Sequence, residues 1–373
     1  MIYLDYSATT PVDKKILELY LKDNEFFFAN ANSLHKLGIA AAQQIDQATE
    51  DIKKILRLNN HNFVYTSGAT EANNIALKGV ALSKKNKGNH IITSAFEHSS
   101  ITNCLNYLAK QGFVIDVVSS DEAGLINLEE LKKLITDKTI LVTIGVVNSE
   151  TGIKQDLSKI YQVVKANPET LFHSDMTQAI GKVISDFNYV DLASLSAHKI
   201  YGLKGIGGLI IREGIKITPL IHGGKSTSAL RAGTPPTPLI LSLRNAIKFS
   251  YEEFDEKQKT IKEIHDYLLN KLHSLTEIEY NSNSYSINQI VNVSFLDILS
   301  QDLQQKLSNF DIFVSTSTAC ASERPISLTI KYLTGSIERA ETSIRISLSH
   351  LTTKSEIDAF ITAIKEIRQS ENN

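Results

Sequence analysis

The sequence predicts an α/β protein: a mostly parallel sheet with helices on both faces, followed by a smaller α+β unit. Two observations carry this. Up to about position 238, short apolar runs alternate with helical segments of 10 to 15 residues, the pattern of strands joined by crossover helices. Beyond Pro238 the pattern changes to a long helical stretch and then a mixed remainder. A chain of 373 residues is also long enough to bury a core in each of two units.

The elements can be read in order. Strands are expected at Asn62 to Thr66, His90 to Ser94, Phe113 to Val118, Thr139 to Val147, Leu171 to Asp175 and Asp191 to Ser196. The intervening helices are expected from Ser67-Gly68-Ala69-Thr70 to about Lys84, and over Ser99 to Lys110, Leu128 to Ile135 and Leu157 to Ala166. One long helix is expected from Leu239 to His273, bridging the two units. A strand at Ile287 to Phe295, a helix at Gln301 to Leu307, a strand at Ser343 to Ser349 and an amphipathic helix at Lys354 to Arg368 complete the reading. In parallel sheets of this kind, sites gather at the carboxyl ends of the strands.

Composition excludes several classes of function. The apolar fraction is 42%, the charged fraction 21% and the net charge −2, so neither a nucleic-acid surface nor a polybasic membrane anchor is expected. No apolar run approaches the roughly 20 residues of a membrane span. The segment Met1 to Thr10 carries Asp5 and lacks the apolar core of a targeting signal. The expected setting is the cytoplasm. The two cysteines, Cys104 and Cys320, lie far apart, and neither a disulfide nor a metal site is expected of them. The glycosylation-like triplet at Asn292 falls in an apolar strand-like run and is read as chance.

Three segments carry chemistry. Ser194-Leu195-Ser196-Ala197-His198-Lys199 follows an apolar strand and leads into a turn rich in glycine at positions 202, 205, 207 and 208. A lysine held there can form a Schiff base with an aldehyde cofactor, and Ser196 and His198 can bind a phosphate. The bland alternative is a solvated surface lysine. Asp175, in His173-Ser174-Asp175-Met176-Thr177-Gln178, ends an apolar strand. It can serve a protonated ring nitrogen or merely cap the next helix. Ser67-Gly68-Ala69-Thr70-Glu71 sits between a strand and a helix. It reads as a phosphate cup, as a simple helix cap, or as both.

These segments, in this order, resemble the cysteine desulfurases, fold-type-I pyridoxal-phosphate (PLP) enzymes of the class V aminotransferase group. The similarity spans essentially the whole chain. It runs from Tyr3-Leu4-Asp5-Tyr6-Ser7-Ala8-Thr9-Thr10-Pro11 through Asn32-Ser33-Leu34-His35, Glu97-His98 and Asn148-Ser149-Glu150-Thr151-Gly152. It continues with Arg231-Ala232-Gly233-Thr234, Thr318-Ala319-Cys320 and Ser343-Ile344-Arg345. Each motif is weak alone; their order and spacing are specific.

The resemblance implies a seven-stranded sheet in a large cofactor-binding domain over residues 13–252. It implies a small domain formed by 1–12 with 253–373. It implies that Lys199 anchors PLP and later carries a proton, that His98 stacks on the ring and acts in proton transfer, and that Asp175 and Gln178 serve the ring nitrogen and hydroxyl. Ala69, Thr70, Ser196 and His198 would hold the phosphate, with Thr234 reaching it from the other subunit of a homodimer. Asn148, beside the cofactor, and Arg345 would hold the substrate carboxylate, Arg345 as a two-pronged clamp. Cys320 would accept sulfur from L-cysteine on a long mobile loop and pass it to an acceptor protein, such as an iron–sulfur scaffold or a thiolation enzyme. The small and polar residues from Ser315 to Glu323 suit an exposed loop. Cys104 is assigned to packing.

The chain departs from the family's pattern at His222-Gly223-Gly224-Lys225-Ser226-Thr227, at Glu323-Arg324-Pro325 and at Ser149. None of these removes a catalytic group; they bear on the choice of partner. Gly224-Lys225-Ser226 looks like the end of a nucleotide-binding loop, but the first glycine it requires is Pro219. A selenocysteine lyase or an aminotransferase of the same fold is the nearest competing reading. An aminotransferase needs no reactive loop thiol. A non-catalytic sulfur-transfer scaffold would not need the set Lys199, Asp175, His98 and Cys320.

Overall fold

The computed structural model describes residues 1–224, 226–316 and 326–371. In chain order its strands are β1 Ile2–Tyr3, β2 His61–Thr66, β3 His90–Ser94, β4 Val114–Val118, β5 Thr139–Thr143, β6 Leu171–Asp175, β7 Leu192–Ser196, β8 Gly207–Arg212, β9 Ile278–Tyr280, β10 Ile290–Phe295, β11 Ile312–Phe313 and β12 Ser343–Ser347. The helices are α1 Lys14–Phe26, α2 Lys36–Ile55, α3 Ala69–Lys84, α4 Ser99–Lys110, α5 Leu128–Leu134, α6 Leu157–Val164, α7 Thr237–Tyr251, α8 Phe254–Leu272, α9 Ser300–Asn309, α10 Leu328–Thr334, α11 Ile337–Thr342 and α12 Lys354–Glu371.

Seven strands form one sheet in the order β2-β8-β7-β6-β5-β3-β4. β8 runs antiparallel to both of its neighbours, and the other pairings are parallel. Successive strand residues face opposite sides. Phe63, Val142, Phe172, Ala193 and Ile210 pack with α2, α6 and α7, while Val64, Leu141, Leu171, Leu192 and Leu209 pack with α3 and α4. Both faces are thus buried, as the near-continuous apolar strands require.

A second core gathers α8, α9 and α12 around the antiparallel sheet β12-β10-β9. Leu4 belongs to this core, and β1 pairs with β11. The next residues cross to the large sheet: Thr10 N–H donates to the His198 carbonyl at 2.9 Å and Asp13 N–H to that of Tyr201 at 2.9 Å.

The fold corrects the sequence reading in three places. Gly207 and Gly208 belong to a strand, β8, rather than to the preceding turn. A Cβ on Gly208 would lie 2.1 Å from the Phe63 ring, and one on Gly207 2.7 Å from the Gly68 Cα, so glycine is required by close approach. The long helix expected over Leu239 to His273 is two helices, α7 and α8. The break falls where Glu252 is extended and Glu253 is left-handed at φ 55°, and the Lys257 ammonium ties the turn by donating to the carbonyls of Phe249 and Glu252. The strand expected to reach Val147 ends at Thr143, and residues 144–148 bend toward the site.

Candidate active site

A cavity of about 680 Å³ opens where the parallel strands end. Its walls include Ser67–Thr70 after β2, Glu97 and His98 after β3, Ile144, Gly145 and residues 147–149 after β5, Asp175 ending β6, and Ser196, His198 and Lys199 at the end of β7. Ser7–Thr9 and Arg345 close it from the segment that joins the second core. Lys199 lies 24 positions downstream of Asp175, with one crossover and β7 between them, because β6 and β7 are adjacent and parallel. Of the sequence-predicted residues, Ala69, Thr70, His98, Asn148, Asp175, Gln178, Ser196, His198, Lys199 and Arg345 line this cavity. Thr234 is exposed and does not. Cys320 lies outside the described residues.

Lys199 brings an amine into the cavity. Its Nζ donates to the carbonyls of Ser7 at 2.5 Å and Ala8 at 2.9 Å. Burial and then the Arg345 charge, opposed by Asp175 and Asp5, bring its pKa down to about 8. A lysine so placed has a substantial amine fraction near neutrality.

Asp175 is held with lone pairs to spare. Oδ1 accepts from Thr177 N–H at 2.9 Å and Oδ2 from Asn73 Nδ2 at 2.9 Å. The helix cap foreseen as the bland alternative is not what forms: Oδ1 closes a two-residue turn, no helix begins until Phe187, and the carboxylate is open to the cavity. Glu97 sits close by. It accepts from Ser94 Oγ at 2.6 Å and Gly145 N–H at 2.9 Å, yet burial, with some help from Asp175, pushes its pKa up to about 7.

The N-terminus of α3 is left open. Its N-cap is Gly68, at φ 156° and ψ −177°, a conformation that favours glycine. No side chain caps the first turn, so the expected serine or threonine cap is absent. Glu71 instead reaches back to Ser67 N–H at 2.5 Å and pairs with Arg231 Nε at 2.9 Å, tying the 231–234 segment to the cup. Ser196 Oγ faces Gly68, and burial and neighbouring lysines keep His198 neutral, with a pKa of about 4. This is an anion site in form: first-turn N–H groups, a hydroxyl and an imidazole.

Three predicted residues carry more structural bonds than their sequence roles implied. Asn148 Oδ1 accepts from the N–H groups of Glu150 and Thr151 and from the Thr151 hydroxyl, while its Nδ2 donates to the Phe96 carbonyl at 3.0 Å. Gln178 Nε2 donates to the Ser7 carbonyl at 2.9 Å and Lys182 Nζ donates to Gln178 Oε1, which fixes the way the amide faces. The Arg345 fork donates to Asp5 Oδ1 at 2.7 Å and the Ser149 carbonyl at 2.9 Å, and its buried Nε has no partner. Sequence reasoning assigned no role to Asn73, Ser100, Lys182 or Asp5. Only Asp5 stood in a motif that could have drawn notice.

The chain enters the segment that holds Cys320 next to Arg345: Ser315 and Arg345 exchange backbone hydrogen bonds at 3.2 and 2.7 Å. It leaves at Ser327, whose hydroxyl donates to buried Glu150 at 2.6 Å. Cys104, the other cysteine, is packed in the α3–α4 core with its thiol pushed up to about 11 by burial. The P-loop likeness fails in structure too, since among the described residues no helix follows Gly224 before α7. Among the described residues, no helix is long and apolar enough to cross a membrane, and no cluster of side chains could hold a metal ion.

Comparison with known proteins agrees with this geometry. The aminotransferase class-V family model matches residues 2–360. A cysteine desulfurase IscS of Rickettsia akari is 38% identical over 377 positions, covering 97% of this chain and 90% of its own. The structure of a NifS-like protein superposes with a TM-score of 0.92 at 35% identity over 99% of both chains. That of SspA in complex with cysteine does so at 0.82 and 31%, over 95% of this chain and all of the other. With one family model spanning nearly the whole chain and its relatives aligned almost end to end, the chain belongs to the class-V aminotransferases, among the cysteine desulfurases.

Proposed function

We propose that the protein binds pyridoxal 5′-phosphate in this cavity and converts L-cysteine to L-alanine, keeping the sulfur as a persulfide on Cys320. The single observation that carries the reading is the convergence of Lys199, Asp175, His98 and the open N-terminus of α3 on one cavity. The residues fit the cofactor. An amine of pKa about 8 can bond its aldehyde, a carboxylate with free lone pairs can face its ring nitrogen, and the cup can take its phosphate. When bound, the group supplies an electron sink for the substrate's α-carbon.

The chain's own residues do the rest. Gln178 keeps one N–H free of Ser7 to serve the ring hydroxyl. Arg345 orients the substrate through its carboxylate, the Lys199 amine takes and returns protons, and His98 forms one wall. Net, L-cysteine and the Cys320 thiol give L-alanine and the Cys320 persulfide, with every atom retained. Sulfide and alanine release from L-cysteine tests the reading, with L-selenocysteine alongside. Release from selenocysteine alone would favour the lyase.

The sulfur then passes to an acceptor protein, and the working form is a homodimer. A second copy suits the exposed apolar side chains of the α1–α2 region, among them Leu21, Phe28 and Leu34, the last 93% exposed. It would also explain why Thr234 stands clear of its own cavity. Sedimentation should give a dimer with activity confined to it; full activity in a monomer would count against the dimer.

Arg345→Ala is expected to raise the Michaelis constant for L-cysteine by about 10- to 150-fold, a charge-assisted pair being worth roughly 1.5 to 3 kcal/mol. Binding of the cofactor should change little. An unchanged constant would leave Arg345 as the partner of Asp5 only.

Cofactor capture should depend on pH. The amine attacks an aldehyde only when deprotonated, so raising the pH through about 8 strips the Lys199 ammonium and speeds uptake. Mixing apoprotein with PLP and following absorbance should give a rate that rises across this range and then levels. A flat or falling rate would remove Lys199 as the attacking group.

A further inference from the structure

His98 has a defined protonation pattern, and the surrounding hydrogen bonds set it. The residue is the N-cap of α4, and its Nδ1 accepts the Ser100 backbone N–H at 3.1 Å. A backbone N–H can only donate, so Nδ1 must carry its lone pair. The Ser100 hydroxyl lies 2.9 Å from the same nitrogen and, finding no hydrogen there, must donate as well. Its own lone pairs are then available, and Asn73 Nδ2 donates to them at 2.9 Å.

Asn73 closes the argument. It is fully buried, its amide nitrogen donates to both Ser100 Oγ and Asp175 Oδ2, and its Oδ1 is buried without a partner. A flipped amide would set oxygen against the Asp175 carboxylate and lose both donated bonds. An unmade bond on a buried carbonyl is tolerated here because the two N–H groups are used. Asn73 therefore donates both ways, to Asp175 and to Ser100, and Ser100 donates to His98.

We propose that this capping arrangement holds His98 as the neutral ring protonated at Nε2, presenting a hydrogen-bond donor to the cavity, with Ser100 as its positioning residue. Nε2 has no partner among the described residues, and the ring lines the cavity. Shielding from water and the Lys199 charge both favour the neutral ring, with Asp175 opposing. The chemical consequence is a division of labour. A neutral ring bearing hydrogen on Nε2 cannot accept a proton there, and losing that proton would leave an anion. Protonation at Nδ1 would require breaking the bonds to Ser100. His98 thus steadies negative charge by donation, and proton removal from the substrate falls to the Lys199 amine. This modifies the proton-transfer role that the family resemblance implies for His98. Its catalytic meaning rests on the desulfurase reading; the ring's protonation pattern does not.

The full chain, with PLP added, is produced with nitrogen-15 in its histidines, and long-range proton–nitrogen NMR spectra are recorded at neutral pH. The signal absent from His98→Gln identifies His98. The expected pattern is a pyridine-like Nδ1 and a pyrrole-like Nε2. Ser100→Ala keeps the backbone donor and should keep this pattern. Ser100→Pro removes both donors at a first-turn position that tolerates proline and should give an average of the two neutral forms, with thermal melting confirming the fold. A pyrrole-like Nδ1 or a doubly protonated ring in the unmutated protein would overturn the proposal, as would an unchanged pattern in folded Ser100→Pro. Turnover of L-cysteine is measured on the same samples. Its absence beside the expected pattern would refute the desulfurase reading alone.

Discussion

Lys199→Ala should yield a folded protein that releases neither alanine nor sulfide from L-cysteine. Loss of the proton-transfer group alone accounts for a drop of about 100- to 10,000-fold, and loss of the covalent anchor removes what remains. Lys199 follows β7 directly, with its pKa held at about 8 and its amine aimed at the Ser7 and Ala8 carbonyls. Lys204 lines the same cavity and Lys182 is bonded to Gln178, so two other amines are near enough to be rivals. Borohydride reduction of the PLP-loaded protein and peptide mapping separate them. The label is expected on the peptide containing Lys199; a label on Lys182 or Lys204 would reassign the anchor. Circular dichroism checks the fold, because the variant leaves the Ala8 carbonyl without this donor, at about 1 to 3 kcal/mol, while Gln178 still donates to the Ser7 carbonyl.

Cys320→Ser is expected to stop turnover while leaving the protein able to bind PLP and L-cysteine. The chain has two cysteines. Cys104 is only 4% exposed, and its thiol pKa of about 11 leaves almost no thiolate at neutral pH. It is a packing residue of α4. Cys320 lies five residues beyond Ser315, which is paired with Arg345 at the edge of the cavity. Five residues span at most about 18 Å, enough to bring a thiol to a substrate held by that arginine. Serine nearly matches cysteine in size but cannot take sulfur as a persulfide. The variant should keep the absorbance change caused by L-cysteine and release no alanine or sulfide above background. The unmutated protein, given L-cysteine without reductant, should gain one sulfur atom on the Cys320 peptide by mass spectrometry. Sulfur on Cys104, or turnover by the serine variant, would overturn the assignment.

Much of the architecture was readable along the chain. The apolar runs at 90–94 and 171–175 coincide with β3 and β6, and the helix expected over Ser99 to Lys110 is α4 residue for residue. Local pattern suffices there, since a strand buried on both faces must be apolar throughout and an amphipathic helix must repeat at its own period. β8 was hidden because its two glycines look like a turn, and the α7–α8 break was hidden because Glu253 is not a residue type that signals a left-handed turn.

The sequence by itself determined the inventory of the site: a lysine after one strand, an acid at the end of its neighbour, a glycine before a helix, and a cysteine in a run of small residues. These follow from chain order, because parallel strands bring their carboxyl ends to one edge. Only the tertiary structure decided which way each group faces. His98 accepts from Ser100, whose hydroxyl accepts from Asn73, and the other bond of Asn73 reaches Asp175 102 positions away. The guanidinium of Arg345 is shared with Asp5, 340 positions away. Hydrogen-bond polarity is a property of contacts across the fold, and no spacing along a chain encodes which partner of a buried bond carries the proton.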